Sequence, residues 1–211
     1  MSRSLALWGG LAALILGIAV WRISDSSQPT EVPFETENRP PTAAPMCPWR
    51  EPERDLKLFF PEATHHKIET RILSGKRLEL AERLGRPPSG DENALYVYPV
   101  YREQTQLGVV LAHRVKGEFG AIELVLAVAT NQQVSGLRLQ RLREPENVTA
   151  ALQNPQWLGS FVGKRAESSW QPEHDISDLP PEARVSGAAV TEGVRSLLIL
   201  LAMADQKEPH H

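Results

Sequence analysis

Cysteine is almost missing from this chain. Of 211 residues only Cys47 is a cysteine, which excludes an intrachain disulfide framework and any cysteine-built metal site. Cys47 sits in the proline-rich stretch APMCPWREP, where an isolated thiol reads as a bystander. Aromatic residues make up 6% of the chain and the formal net charge is −3. Lysine and arginine are scattered, with no basic block and no aromatic–basic alternation, so nucleic acid is not an expected partner. No nucleophile elbow, Ser–His–Asp order, pair of acids or metal motif stands out. No catalytic and no metal-binding residue is therefore nominated. The neighbouring His65 and His66 suit neither helical i, i+4 ligand spacing nor one face of a strand. Asn147-Val-Thr matches a glycosylation acceptor, a pattern short enough to arise by chance.

Long apolar runs are also scarce, and the exception lies at the start. Leu5 to Trp21 carries no charge over 17 residues; as a helix it is about 25 Å long, a little short of the ~30 Å hydrocarbon core. Two readings stand: a secretory signal peptide, with Gly17-Ile18-Ala19 before a cleavage point, or an uncleaved anchor flanked by Trp8 and Trp21. The favoured expectation is an anchor over residues 1–25, single-pass in a bacterial cytoplasmic membrane through Leu5 to Trp21. The rest of the chain then faces the periplasm or the outside. Residues 26–52 hold seven prolines, which excludes helix and predicts an extended tether, or a polyproline segment lying along a partner protein. Residues 206–211 read as a tail.

Between these ends, residues 53–205 predict one α+β domain, an antiparallel sheet flanked by helices. A helix is expected over 67–84 from the stripe Ile68, Ile72, Leu73, Leu78, Leu80 and Leu84, with Ser74-Gly75 as its weak point. The period then changes to two. Strands are expected over 94–101, 107–115, 121–129 and 134–142, joined by short polar turns into an antiparallel run. Helical pattern returns after Pro145, a polar loop spans ESSWQPEHDISDLPPEAR, and a last helix is expected over 191–203.

Four stretches, in this order, carry a resemblance: LKLFFPEA (56–63), GEFGAIELVLAV (117–128), WLGSFVGK (157–164) and SGAAVT (186–191). Together they resemble the FMN-binding domain family, whose members include the membrane-anchored flavin subunits of Rnf-type and sodium-pumping NADH:quinone complexes. The last stretch resembles that family's flavin loop, Ser-Gly-Ala-Thr-x-Thr. Independently of any resemblance, small residues at Ser186, Gly187, Ala188 and Ala189 would let backbone N–H groups approach a phosphate at a helix N-terminus. The same run reads equally as a close-packing turn before a core helix. The resemblance implies FMN as cofactor and Ser186, Gly187, Ala188, Ala189, Thr191 and Glu144 as candidate cofactor-binding residues.

The family joins the FMN phosphate to the threonine hydroxyl that follows Ser-Gly-Ala. Here that position is Ala189, whose methyl group has no oxygen for a phosphoester, so any FMN is expected to be non-covalent. Thr191 lies about 200° further round a helix. The turn after the fourth strand reads RLREPENV, keeping Glu144 and Pro145 but neither of the family's glycines. Glu192 would repel a phosphate; Arg195, Arg143 or Arg184 could offset it or could be solvated surface charges.

The functional expectation is a membrane-tethered extracytoplasmic module transferring electrons through a non-covalent flavin. The alternative is a flavin-free interaction or assembly subunit of a membrane redox complex that keeps the fold. Either way the partner is a membrane redox complex or another membrane protein, and the chain reads as an electron-transfer or accessory subunit rather than an independent enzyme.

Overall fold

The computed structural model describes residues 30–33, 53–172 and 174–206. The expected anchor at 5–21, most of the proline-rich linker with Cys47, and the tail from 207 lie outside these residues. Six strands form one sheet in sequence order: β1 (Thr30–Pro33), β2 (His65–Ile72), β3 (Ala94–Arg102), β4 (Thr105–Lys116), β5 (Ala121–Ala129) and β6 (Val134–Leu142). Every neighbouring pair is antiparallel. With the helices α1 (Glu53–Phe59), α2 (Arg77–Leu84), α3 (Glu146–Leu152), α4 (Pro155–Gly159) and α5 (Arg184–Asp205), the fold is α+β.

The central strand shows how the sequence builds two faces. In β5, Ile122, Leu124, Leu126 and Val128 belong to the large core on the α5 side. Val125 and Ala127 belong to a second core with Leu56 and Phe60, on the α1 side. Both faces of β5 are covered, so the strand reads as a nearly unbroken apolar run. Glu123 breaks the run on the α1 side and is buried against Arg114 at 2.9 Å and Arg141 at 4.0 Å. Asp55 of α1, also buried, is held by Arg138 and Gln140 of β6, which ties α1 to its face of the sheet.

Three expectations require correction. The helix expected over 67–84 is helical only in its second half. His65–Ile72 is β2, a 3-10 turn at Ser74–Lys76 follows, and α2 begins at Arg77. The break falls at Ser74-Gly75, and β-branched Ile68, Thr70 and Ile72 sit on one strand face instead of one helix stripe. Within the expected tether, Thr30–Pro33 pairs with β2 as the sheet's edge strand; Pro33, at its end, has no N–H to donate and is suited to such an edge. The last helix starts at Arg184, seven residues before the expected Thr191.

The connections from β3 to β6 are short. Glu103, at φ 55°, begins the two-residue β3–β4 connection without a glycine, in a region that L-residues with a Cβ enter at a cost. By length and composition the helical stretch Pro181–Asp205 could cross a membrane. Here it is a core helix: Val190, Val194, Leu197, Leu198 and Leu201 are buried with the sheet's apolar residues.

Candidate functional site

The segment 186–189 is helix, not loop. A 3-10 turn at Pro181–Ala183 leads into α5, and the N–H of Arg184 is already bonded to Pro181 O. Inside a continuous helix the N–H groups of Ala188 and Ala189 point back to carbonyls four residues earlier. These two N–H groups are not available to cradle a phosphate, and the loop expected at 186–189 is corrected to helix.

The six nominated residues separate into three places. Ser186 is fully buried and accepts a 2.9 Å hydrogen bond from the N–H of Glu118 in the β4–β5 turn. Glu144 approaches the same turn, accepting from the Gly120 N–H at 3.4 Å. A Cβ on Gly117 would collide with Glu144 Oε1 and sit 2.9 Å from Ser186 Oγ, so a side chain there would have to displace the Glu144 carboxylate from the turn. Ser186 and Glu144 thus meet around Gly117 and tie the turn to α5. Gly187, Ala188 and Thr191 face elsewhere, onto a cleft of about 390 Å³, within the roughly 300–1,000 Å³ of small-molecule pockets. Ala189 lines neither place.

The cleft lies between one face of α5, the α4 region and the loop that precedes α5. Its α5 wall is Arg184, Gly187, Ala188, Thr191, Glu192 and Arg195, the i, i+3, i+4 neighbours of a single helix face. Opposite stand Trp157, Trp170, Pro172, Ile176 and Leu179. Trp157 is buried and packs edge-on to Phe161 at 5.0 Å, and Trp170 is tilted on Phe161 at 6.4 Å. A Cβ on Gly187 would meet Leu179 and come within 3.6 Å of Trp157, so the glycine keeps the cleft floor close to α5. Thr191 donates its hydroxyl to Gly187 O at 2.9 Å, a bond within its own helix that leaves the oxygen lone pairs as acceptors.

No protein-family model and no curated protein matches the chain.

The charges at the cleft are already matched. Arg184 pairs with Asp178 at 3.2 Å and Arg195 with Glu192 at 3.4 Å. Arg195 also donates to the carbonyls of Arg83 and Leu84. A chain of polar contacts runs inward from this rim. Ser196 Oγ lies 3.2 Å from both Glu192 and Arg86, and Arg86 forks onto Glu92 at 2.7 and 2.9 Å. Burial opposes ionisation of Glu92, but the Arg86 fork and the Ser89 N–H outweigh it and hold the carboxyl below its ordinary range. His113, on the sheet beneath α5, is held below the ordinary histidine value by burial, partly offset by Glu92 and Asp91.

Sequence reasoning did not nominate Trp157, Trp170, Ile176 or Leu179 as site residues. Trp170 and Ile176 had a signal: large apolar side chains inside an otherwise polar, proline-rich loop need something to pack on. Arg143, considered as a phosphate partner, does not line the cleft. His65 and His66, on β2, do not line the cleft; His65 is stacked on Tyr101 and His66 is buried beside Tyr98.

A flavin ring and an FMN phosphate fare differently here. Two indoles, Ile176 and Leu179 supply a flat apolar surroundings for a ring. The phosphate finds two arginines already paired with carboxylates. The apolar wall suits a ring better than the charged rim suits a phosphate.

Proposed function

We propose that this chain is a membrane-tethered extracytoplasmic module that holds a flavin-type ring non-covalently in the cleft beside α5. It would serve as an electron-transfer or accessory subunit of a membrane redox complex. The observation that carries the reading is the coincidence of two independent features. The segment resembling a flavin motif, 186–191, contributes Gly187, Ala188 and Thr191 to a cleft, and that cleft is walled by Trp157 and Trp170. A bound flavin would supply one- and two-electron chemistry. The chain's own residues would bind and orient the ring: Trp170 by contact along the cleft wall, Ala188 by leaving space, Thr191 by offering an acceptor oxygen.

The test is flavin titration of purified full-length protein in mild detergent, followed by quenching of flavin fluorescence. Saturable quenching supports the reading, and acid denaturation should then release all yellow colour from the polypeptide. Flavin that stays on the denatured chain contradicts it. Ala189→Thr, co-expressed with a flavin transferase, is expected to remain unflavinylated, because position 189 does not line the cleft.

A second reading, a flavin-free assembly subunit, is favoured by the sheet face that α1 leaves open. Ile68, Ile72 and Tyr96 are exposed there on adjacent strands, an apolar surface of the kind that docks a partner. Absence of flavin binding at high micromolar concentration, together with loss of complex assembly in Ile72→Lys, would favour it.

A further inference from the structure

We propose that the α1 side of the sheet lies on an anionic lipid bilayer, with Ile68, Ile72 and Tyr96 among the headgroups. This rests on the chain being tethered at a membrane and is independent of any ligand in the cleft.

Three observations carry it. The first is an apolar surface left open. Ile68, Thr70 and Ile72 alternate onto the face of β2 that carries His66, and Tyr96 shares its face of β3 with Tyr98. α1 packs over Tyr98 through Leu56 and Phe60 and stops short of the rest. Ile72 is 68% exposed, Tyr96 43% and Ile68 40%. Phe119 is also exposed, in the β4–β5 turn at the same end of the sheet as Ile72. Aromatic and branched apolar side chains together suit the boundary between headgroups and acyl chains.

The second is segregated charge. The whole chain is acidic, with a net charge of −3, yet this face is cationic where β4 and β6 cross it. Arg114 and Lys116 share the face of Val110, and an irregularity in the β5–β6 register puts Arg138 and Arg141 on the same side, opposite Val125 and Glu123. Two buried carboxylates, Glu123 and Asp55, are held by the three arginines, whose side chains still stay about half exposed. Lys116 is exposed as well. Cations near an anionic leaflet strengthen binding by about fivefold each.

The third is the length of the connection. β1 is antiparallel to β2, and its first residue, Thr30, pairs with Ile68, so the chain enters the sheet from the Ile72 end. Eight residues, 22–29, separate Thr30 from the apolar run that ends at Trp21. They would span at most about 29 Å, less than the roughly 40 Å width of a domain this size. The β2 edge is therefore held close to the bilayer, and a weak surface contact becomes an intramolecular one. The tether gives no such advantage to a soluble protein partner.

The test uses full-length protein carrying Cys47→Ser and Thr70→Cys, labelled with an environment-sensitive fluorophore. Thr70 is exposed between the two isoleucines. A second protein carries the label at Val162→Cys, exposed beside the α5-side core. Each is reconstituted into vesicles of phosphatidylcholine, with or without one third phosphatidylglycerol, containing a lipid quencher at headgroup depth. Flotation with the vesicles reports the tether. With phosphatidylglycerol, quenching at 70 is expected to exceed that at 162 at least threefold. Salt at 1 M, where the Debye length is ~3 Å, should remove most of the difference. Lys116→Glu is expected to lower the docked-to-undocked ratio at least fivefold. Equal quenching at both positions in protein that floats overturns the docking and leaves the tether standing. Protein that does not float overturns both. Equal quenching at 70 with and without phosphatidylglycerol overturns the preference for anionic lipid. A label at 70 already shielded in detergent, and unchanged by lipid, assigns the face to residues 34–52 and overturns the proposal. Shielding found only in native membranes assigns the face to a partner protein and overturns it too.

Discussion

The two faces of α5 are made of similar small residues and differ in what meets them. On the sheet side, Ser186 reaches the β4–β5 turn, and Gly193 lets the helix approach Val115, Leu124 and His113. On the other side, Gly187 packs against Leu179 and Trp157 in the same way, while Ala188 and Thr191 beside it line a cleft. Gly187 and Gly193 let the helix close on a neighbour. Ala188 leaves space because nothing from the loop reaches it. Residue size alone does not tell these apart; the partner surface decides.

Substitutions should separate the faces. Gly193→Leu inserts a side chain where even a Cβ meets Val115 and lies 3.5 Å from Leu124, and overpacking of this kind is expected to cost about 3 kcal/mol or more. Ala188→Leu, on the exposed cleft wall, is expected to change stability by about 0.5 kcal/mol or less while obstructing ring binding. Urea unfolding compares the two, and equal losses would erase the distinction between the faces. Next in size, Ser186→Ala removes the acceptor of the Glu118 N–H and is expected to cost about 1–2 kcal/mol without altering flavin affinity. A large loss of affinity in that variant would mean that the faces are coupled.

A smaller effect is expected from pH. Burial lowers the pKa of His113, and that of His66, with repulsion from His65 adding to it there. Both stay neutral in the fold at pH values where the unfolded chain is already protonated. Their contribution is complete above the unfolded histidine value, about 6.5, and is lost as pH falls from there through the lowered folded values. Unfolding midpoints at pH 8 and pH 5 measure this, and the difference should shrink in His113→Asn, which lies on the sheet side of α5. Smallest of all, Glu103→Gly relieves the positive φ of the β3–β4 turn and is expected to add about 0.5–1 kcal/mol, a control remote from both faces.

The strands β3 to β6 were legible because at least one face of each is buried, which writes a period of two or an apolar run into the sequence. β2 was not. Only His66 among its residues is buried, so nothing marks its alternation, and its isoleucines fit a helical spacing as readily. The start of α5 was hidden for another reason. Ser-Gly-Ala-Ala has the composition of a loop, and Gly187 stays in the helix because Leu179 and Trp157 pack where its Cβ would be, outweighing a propensity cost of about 1 kcal/mol. Of the site, the sequence indicated part of the α5 wall. It did not indicate the opposite wall, because Trp157, Trp170, Ile176 and Leu179 are brought together only by the path of the loop between α4 and α5.

The most direct measurement of the cleft assignment is a ¹H–¹⁵N spectrum of the full-length protein titrated with riboflavin. The indole signal of Trp170 and the backbone amides of Gly187, Ala188 and Thr191 are expected to shift together and saturably. That indole signal should be identified by its loss in Trp170→Phe. Shifts confined to the open sheet face around Ile72 and Tyr96, or none at millimolar riboflavin, would contradict a ligand site beside α5.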